Sequence, residues 1–521
     1  MANIVASNHL NGVSNTLTAH HKSPVYQVPA NKATKQTTTT TTMTTPSIHV
    51  TSHPSDLYHV KDLILQNEDR ANEIKEYLRS LILTDENIIE IGEVFENEVR
   101  IALKGGSSSL QMENTYIPEL PNGTEAGSFL ALDLGGTNFR VILLEVAGGK
   151  IVEEIVQKYE ISEELRLGIG GCLFDFLASC VEDFVTKRGM EKQPLPMGFT
   201  FSFPMIQHSL NSGCLKCWTK SFNIQSVVGK DVVAILQDAL DARGFGHIKV
   251  LCILNDTTGT LVQGASMDKR AKLGIILGTG SNCAYLERAD RVSHWEGERH
   301  GEKNVIIDIE WGAFGDNGTL DFIRTRFDRE VDNASLHQSF TFEKYISGKY
   351  MGEVCRVVLR DLIADGLLLQ RAPKNLFPTS WNFDTANVSA IEKDTVQRRA
   401  DPNHNNSNTI DVLSKFNYVY YRDYDNDDIT IIQYVCDLVS HRAAKLVSIC
   451  TAKLLNRMSE DDITIALDGS LYKHHPRFKK LMEQYIADLT EKKFNLLLAE
   501  DGSGKGAGLV AAIAQRIHNK Y

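Results

Sequence analysis

The sequence predicts an α/β protein with two domains arranged around a cleft. The chain has 521 residues, more than a single compact core usually accommodates. Apolar strands alternate along it with segments of helical periodicity. Two strand–turn–strand units, "LALDLGGTNFRVILLE" and "LGIILGTGSNCAYLE", have similar glycine-rich turns. If each domain contains one copy, the two turns would face each other across a cleft. A chance likeness of two hairpins is the alternative.

Composition excludes several classes of function. Hydrophobic residues make up 42% of the chain and charged residues 23%, which is typical of a soluble globular protein. The formal net charge is −11 and no dense basic cluster is present, so a nucleic-acid-binding role is not expected. No apolar run approaches the roughly 20 residues that a membrane-spanning helix needs.

The nine cysteines form no regular framework, which favours a reducing, cytoplasmic location over a secreted one. Cys214 and Cys217 make a lone C-x-x-C pair that could be redox-active or half of a zinc site. Because no second pair and no spaced histidines accompany it, two unrelated thiols in a turn is the favoured interpretation.

Residues 1–55 contain no Asp or Glu and are rich in Asn, Ser, His and Thr. Such a segment has too little apolar surface to fold, so we expect a disordered tail. A mitochondrial transit peptide would also lack acids, but it would be rich in Arg, and this segment has none. A targeting role is therefore the second alternative.

The order of elements follows from the spacing of apolar residues and from the prolines and glycines that interrupt it. Apolar residues recur at helical steps from Asp62 to about Lys104, and "IPELPNGTEAG" then interrupts the chain with prolines and glycines. The first glycine-rich hairpin comes next, followed by the strand "GKIVEEIVQKYEI". A helix ending near Gly244 precedes the apolar strand "HIKVLCILND", which delivers Asn255 and Asp256 at its carboxyl end.

The turn "DLGGTNFR" suggests a phosphate site with a metal ion. Its glycine N–H groups could cradle an anion, and one carboxylate stands beside them. The turn lacks the Gly-Lys-Ser/Thr ending of a P-loop and the spaced glycines of a dinucleotide fold. Two later turns, "ALDGS" and "AEDGSGKGAG", also follow apolar strands, and in the second Lys505 precedes Gly506 instead of Ser or Thr. A P-loop is therefore rejected there too.

With these pieces in this order, the chain resembles the hexokinase family, sugar kinases on the two-domain actin-like ATPase (ribonuclease H-like) fold. The match runs from about residue 60 to the end. The motifs that carry it are "LPMGFTFSFP", "WTKSF", "LNDTTGT", "IEWGAFGD" and "FEKYISGKYMGE". The resemblance implies a large domain of residues 56–127 and 257–503 and a small domain of residues 128–256 and 504–521. It also implies a monomer whose partners are a hexose and ATP.

The resemblance assigns the catalytic residues. Asp256 would accept the proton of the sugar hydroxyl, and Lys220 would stabilise charge on the transferring phosphoryl group. Without the resemblance, Asp256 could be a helix-capping residue and Lys220 a solvated surface residue. Side chains that suit the hydroxyls of a hexose are Ser202, Thr219, Lys220, Asn255, Asp256, Asn282, Glu310 and Glu343.

The resemblance also assigns the ATP and Mg²⁺ contacts. Asp133 would bind Mg²⁺ through its waters, because Mg²⁺ loses water reluctantly. Phosphate and nucleotide contacts are implied for Gly135, Gly136, Thr137, Asn138, Arg140, Gly278, Thr279, Gly469, Ser470, Gly502 and Ser503. For Arg140 two roles are about equally supported: neutralising phosphate, or pairing with a carboxylate inside the hairpin.

The chain departs from the family pattern at Ser221, Asn223 and Ser281, none of which removes a catalytic group. The implied reaction is ATP-dependent phosphorylation of a hexose at its 6-hydroxyl, the first step of glycolysis. A catalytically silent sugar sensor and a sugar-independent actin- or chaperone-like ATPase are the alternatives. The apolar helix that anchors some relatives to mitochondria is not evident in "MANIVASNHLNGVSN", so a cytoplasmic protein is expected.

Overall fold

The computed structural model describes residues 60–135, 138–168, 170–401 and 403–519. The predicted tail, residues 1–55, lies outside these ranges. Within them the chain forms two large β-sheets, a two-stranded ribbon and fifteen α-helices.

The strands and helices are numbered here in chain order. The strands are β1 (Glu113–Asn114), β2 (Gly127–Leu134), β3 (Asn138–Ala147), β4 (Lys150–Glu160), β5 (Met197–Phe201), β6 (Met205–Ser209), β7 (Ser212–Leu215), β8 (Val250–Leu254), β9 (Ala271–Leu277), β10 (Ser281–Arg288), β11 (Asn304–Asp308), β12 (Asp462–Asp468) and β13 (Lys493–Leu498). The helices are α1 (Glu68–Leu78), α2 (Asp85–Leu103), α3 (Glu163–Leu167), α4 (Gly170–Thr186), α5 (Val232–Ala242), α6 (Asp256–Met267), α7 (Arg326–Asn333), α8 (Thr341–Ile346), α9 (Met351–Ala364), α10 (Thr385–Ala400), α11 (Ser407–Lys415), α12 (Asn426–Arg457), α13 (Ser470–His474), α14 (Phe478–Leu489) and α15 (Gly502–His518).

The two large sheets share one topology. The five-stranded sheet has the order β4-β3-β2-β5-β8, and the six-stranded sheet has the order β11-β10-β9-β12-β13 with β1 added beside β11. In each sheet, three antiparallel strands are followed by two parallel ones. The repeat predicted from the two glycine-rich units is therefore present, and it extends over five strands. The α/β prediction is confirmed, whereas the predicted domain limits stay a prediction.

Local sequence explains where the elements begin and end. The helical spacing predicted from Asp62 to Lys104 is divided into α1 and α2, because Thr84 starts a new helix by accepting the N–H of Asn87 at 3.2 Å. The helix predicted to end at Gly244 ends at Ala242, and Gly244 follows with φ +84°. That left-handed conformation suits a glycine after a helix.

Helices α6 and α15 occupy the space between the sheets, and each crosses from one repeat to the other. Helix α6 follows β8 of the five-stranded sheet but packs on β9 and β12 of the other sheet. Helix α15 follows β13 of the six-stranded sheet but packs on β2 and β5. The two helices cross at glycines: a Cβ on Gly506 would lie 2.3 Å from the Cα of Gly259. The backbones therefore touch directly, with no room for a side chain.

Most of the remaining helices surround the six-stranded sheet and enclose the largest apolar core, whereas α4 and α5 cover the five-stranded sheet with a second core. A third apolar cluster lies around α6 and α15. Among the described residues, no helix has the length and apolar character needed to cross a bilayer.

The glycine crossing can be tested by substitution. We expect Gly506→Ala to lower the free energy of unfolding by about 1–3 kcal/mol, because the new methyl group would collide with the backbone at Gly259. Gly171→Ala in α4 is the matched control, since a Cβ there would meet nothing within 4 Å and alanine favours a helix. Urea unfolding of both variants measures the difference. Equal stability of the two would contradict direct contact of the helices.

Candidate active site

The candidate site lies where the carboxyl ends of β8 and β12, one strand from each large sheet, meet the starts of α6 and α15. Asn255 and Asp256 directly follow β8, and Gly469 directly follows β12. The carboxylate of Asp468, at the end of β12, accepts the backbone N–H of Gly502 at 3.3 Å. Because open α/β sheets bind ligands beyond these strand ends, residues from distant parts of the chain are in position to form one site.

Asp256 is the first residue of α6, and Asn255 caps that helix. The side-chain oxygen of Asn255 accepts the N–H of Thr257 at 2.9 Å, which satisfies one free donor of the helix end. The Asp256 carboxylate accepts a long hydrogen bond of 3.3 Å from the Thr257 hydroxyl. The helix start and the site are therefore compatible, because the capping is done by Asn255 and leaves Asp256 available for a ligand.

The electrostatic surroundings of Asp256 favour proton uptake. Burial raises the pKa of Asp256; Lys220 opposes that rise, and the charge of Asp133 adds to it. A raised pKa in a cleft is characteristic of groups that exchange protons. Lys220 is exposed but fixed, since its Nζ donates to the carbonyl oxygen of Ser202 at 3.0 Å and its backbone is left-handed, with φ +60°. Such backbone strain in non-glycine residues clusters at functional sites.

Glu310 is surrounded by amide donors. Its Oε1 accepts hydrogen bonds from Nδ2 of Asn255 at 3.2 Å and from Nδ2 of Asn282 at 3.1 Å. The same nitrogen of Asn282 donates to Oδ1 of Asp308 at 2.7 Å. Burial raises the pKa of Glu310 to about 7, and the charge of Asp256 adds to the effect. Glu310 also has left-handed backbone, with φ +54°. The structure thus brings three of the predicted sugar-binding residues into one hydrogen-bonded group.

Glu343 reaches the edge of this group from α8. Its Oε2 accepts the backbone N–H of Ser281 at 3.0 Å, and Ser281 directly precedes Asn282. Burial raises the pKa of Glu343 above its ordinary value. Glu343 therefore lies beside the Asn282 strand, although sequence reasoning had only its motif to recommend it.

Ser202 and Thr219 lie with Lys220 on the side of the five-stranded sheet. A Cβ on Gly135 would lie 3.3 Å from Oγ of Ser202 and 3.6 Å from Nζ of Lys220. The absence of a side chain therefore lets the backbone of the turn lie close to a hydroxyl and an ammonium group, both of which can donate hydrogen bonds to a phosphate. Thr219 is half-buried directly before Lys220.

Arg140 pairs with the carboxylate of its own hairpin. Its Nε donates to Oδ2 of Asp133 at 2.8 Å, and its Nη2 bonds to the same oxygen. Nη1 donates to Asp501 at 3.2 Å, and the Ser503 hydroxyl donates to Asp133 at 3.2 Å. Of the two roles considered for Arg140, the described residues show the carboxylate pair, and a phosphate contact stays a prediction. The pair fastens the first glycine-rich hairpin to the start of α15.

The other glycine-rich turn meets the β12 turn. A Cβ on Gly469 would lie 2.3 Å from the carbonyl oxygen of Leu277, so the two backbones touch. The carbonyl of Thr279 accepts the N–H of Lys349 at 3.0 Å. A Cβ on Gly278, between Leu277 and Thr279, would lie in ordinary van der Waals contact with the β12 turn, 3.6 Å from the Cα of Gly469 and 3.7 Å from the backbone nitrogen of Ser470. Ser470 begins α13, beside these turns.

Part of the predicted phosphate site lies outside the described residues, namely Gly136, Thr137 and the side chain of Asn138. In the part of the chain that the structure describes, no three His, Cys, Asp or Glu residues form a metal-binding group. Asp133 is a buried carboxylate at this turn. That donor set fits Mg²⁺, which usually takes one or two protein carboxylates and completes its shell with phosphates and water.

Two carboxylates of the site were missed by sequence reasoning. Asp308 ends β11 and is 5% exposed. Asp468 accepts the N–H of Gly469 at 2.6 Å and pairs with Nζ of Lys473 at 2.9 Å. Asp468 could have been found, because it precedes a glycine turn at a strand end as Asp133 does. Asp308 gave no such signal, since it stands among apolar residues without a turn motif.

Comparison with protein families gives two matches, both described as hexokinase. One family model matches residues 73–266 and the other residues 272–513. Among curated proteins, Hexokinase-2 of Equus caballus is 38% identical over 466 residues, and Hexokinase-1 of Homo sapiens is 35% identical over 467 residues. Each alignment covers 87% of this chain and 49% of the relative. The chain therefore spans about half the length of the curated relatives it matches.

Solved structures agree with these matches. A hexokinase from Schistosoma mansoni complexed with glucose is 36% identical, with a TM-score of 0.76 over 86% of this chain and 100% of that chain. A second structure, described as hexokinase, is 28% identical with a TM-score of 0.74 and the same coverage. The predicted two-domain actin-like fold class is confirmed by these neighbours.

The interaction between Lys220 and Asp256 can be tested without any ligand. We expect Lys220→Met to raise the pKa of Asp256 further, because Lys220 is the foremost group that opposes the effect of burial. Carbon-13 NMR titration of labelled aspartate carboxyls, assigned with Asp256→Asn, measures the shift. Lys216→Met, in the same segment but facing Glu113, is the control. An unchanged or lowered pKa in Lys220→Met would show that the two groups do not interact.

Proposed function

The chain belongs to the hexokinase family, and on that basis we propose that it transfers the γ-phosphoryl group of ATP to the 6-hydroxyl of a hexose such as D-glucose. The observation that carries the proposal is the convergence of Asn255, Asn282 and Glu310 beside Asp256. Amides and carboxylates in this arrangement match a ring of hydroxyl groups, each of which both donates and accepts.

The hexose would bind through these polar side chains. Glu310 and Glu343 would accept hydrogen bonds from adjacent hydroxyls, and the second N–H of Asn255 Nδ2 would donate to one of them. Ser202 and Thr219 would contact the sugar from the opposite side. A site of this kind rejects analogues that lack a hydroxyl by ~10⁴ or more, because buried polar groups would then lose their partners.

Asp256 is proposed as the general base. Its carboxylate would take the proton of the 6-hydroxyl as that oxygen attacks phosphorus, and the phosphorus–oxygen bond to ADP breaks. Lys220, which already interacts electrostatically with Asp256, would stabilise the negative charge of the transferring group. The raised pKa of Asp256 brings its proton affinity closer to the operating pH, as efficient proton transfer requires.

The nucleotide would bind along the glycine-rich turns. Gly135, Gly136, Thr137 and Asn138 on one side and Gly278 and Thr279 on the other would contact phosphates. Gly469, Ser470, Gly502 and Ser503 would enclose the adenosine side. Mg²⁺, when bound to the phosphates, would neutralise charge on them, and Asp133 would hold it through water. Arg140 would position Asp133, as its two hydrogen bonds to that carboxylate suggest.

The remaining parts of the proposal follow from the family and the sequence. We propose two domains within the predicted limits, residues 56–127 with 257–503 and residues 128–256 with 504–521, that close around the sugar and exclude water. We also propose that the protein is a cytoplasmic monomer that acts at the first step of glycolysis. A catalytically silent sugar sensor is disfavoured because the proposed base, Asp256, is present. A sugar-independent ATPase is disfavoured because it would not require the hydrogen-bonded polar group around Glu310.

The base can be tested by a coupled assay for hexose 6-phosphate with glucose, ATP and Mg²⁺. We expect Asp256→Asn to lower kcat by about 10²–10⁴-fold, the usual contribution of a general base. Glucose binding, followed by calorimetry, should be largely kept. Asp238→Asn changes an exposed aspartate of α5 and should behave as the wild type. If the wild-type protein binds glucose but forms no hexose 6-phosphate, the sensor alternative holds. If it hydrolyses ATP at the same rate with and without sugar, the ATPase alternative holds.

The metal assignment has its own test. We expect EDTA to abolish turnover while glucose still binds, because the metal is proposed to act on the phosphates. Asp133→Asn should raise the Mg²⁺ concentration for half-maximal rate, since a neutral amide holds the water shell of the ion less well. Asp238→Asn again serves as the control. A normal Mg²⁺ dependence in Asp133→Asn would remove Asp133 from the metal site.

A further inference from the structure

A buried carboxyl group lies behind the proposed hexose site without a cation to balance it. Asp308, the last residue of β11, is 5% exposed, and its Oδ1 accepts a hydrogen bond from Nδ2 of Asn282 at 2.7 Å. Among the described residues, no Lys, Arg or His forms an ion pair with it. Burying an unpaired carboxylate is costly, so such a group normally takes up a proton or gains a partner.

The neighbour of Asp308 is a second carboxyl. Nδ2 of Asn282 donates to Oδ1 of Asp308 at 2.7 Å and to Oε1 of Glu310 at 3.1 Å, so both carboxyl groups lie against the same nitrogen, and each shifts the pKa of the other. One amide nitrogen therefore holds two acids side by side. Two carboxyl groups this close cannot both stay ionised without strong repulsion, and sharing one proton removes that repulsion.

The other charged and titratable groups around the pair add negative charge. From the neighbouring elements, the acids that face it are Asp256, Glu343 and Glu113. Lys220 faces Asp256. Lys349, Lys220 and Lys344 face Glu343, and Lys216 and His208 face Glu113. Two thiols, Cys283 and Cys217, also lie nearby. These cations act on the outer acids, and in the described part of the chain none forms an ion pair with Asp308 or Glu310.

The hydrogen bonds decide which member of the pair keeps the proton. Glu310 accepts two amide N–H groups, whereas Asp308 accepts one. Donors stabilise the ionised form, so the negative charge is favoured on Glu310. Burial and the charge of Glu310 raise the pKa of Asp308 well above its ordinary value. Burial raises the pKa of Glu310 to about 7, while a hydrogen bond from Asp308 acts in the lowering direction.

We propose that Asp308 is a positioning residue that stays protonated and donates a hydrogen bond to Glu310, so that the hexose meets one ionised acceptor held in place by an uncharged acid. The identity of the ligand, a hexose, rests on the proposed function. The carboxyl pair makes the affinity for hexose fall both at acid pH and at alkaline pH. Below about pH 7 Glu310 gains a proton and loses acceptor capacity. At alkaline pH Asp308 loses its proton, and Glu310 loses its donor.

Asp308→Asn tests the protonation state directly, because an amide of the same shape also donates a hydrogen bond but cannot ionise. We expect glucose affinity within about threefold of the wild type at pH 7 and no weakening at alkaline pH. Asp308→Leu removes the donor and should weaken glucose binding by about tenfold or more. Glu310→Gln should lose the acid-side dependence. Calorimetry without ATP measures all three. If Asp308 were an ionised acceptor, Asp308→Asn would itself lose tenfold or more at pH 7, which would overturn the proposal.

Two measurements on the sugar-free protein separate this inference from the proposed function. The difference infrared spectrum at pH 8 should contain the carbonyl band of a protonated carboxyl group that is absent from Asp308→Asn and kept in Asp238→Asn. Since the pKa of Asp308 is raised by folding, its stabilising contribution is lost as pH rises through that folded value. The Tm of the wild type should therefore fall relative to Asp308→Asn as pH rises from about 4, the ordinary pKa of an unfolded aspartate, towards the raised folded value, and the difference should level off above that value.

Absence of the infrared band, together with parallel Tm curves, would overturn the assignment of the proton to Asp308. A band that disappears in Asp308→Asn, in a protein that binds no glucose at any pH, would instead overturn the proposed function and leave the carboxyl pair in place.

Discussion

The direct backbone contact between Gly259 of α6 and Gly506 of α15 is the constraint on which the site depends. Each of these helices follows the last strand of one repeat and packs on the sheet of the other. Their crossing therefore joins the two sheets at a fixed distance, with no side chain between the backbones. Because Asp256 begins α6 and Gly502 begins α15, the same crossing brings the proposed base next to the proposed nucleotide turn.

That arrangement concentrates acids around a small number of cations. Lys220 and Arg140 face Asp256 and Asp133 respectively, and each is held in place by hydrogen bonds. The acids around Glu310 are stabilised by amide donors and by burial-induced proton uptake. Such a site disfavours the ionised form of its carboxyl groups, which agrees with their raised pKa values.

The sequence predicted strands, turns and most of the polar residues of the site, because each of these leaves a local pattern. Apolar runs that end in glycine turns marked the ends of β2, β9 and β12. The swapped packing of α6 and α15 could not be predicted, since the contact of Gly259 with Gly506 joins segments far apart in the chain. Asp308 was missed for a similar reason: its partner Asn282 is brought close only by the pairing of β10 with β11.

The two repeats share a topology but differ in chemistry at one equivalent position. In the first hairpin Asp133 pairs across the turn with Arg140, and in the second Ile276 pairs with Asn282. The first copy therefore presents an ion pair suited to a metal and phosphates, whereas the second presents an amide that reaches Glu310. Duplication of one fold thus provides the frame. In the proposed enzyme, the acid–arginine pair of the first hairpin would serve the metal and the amide of the second would serve the sugar, while the glycine-rich turns of both hairpins would contact the phosphates.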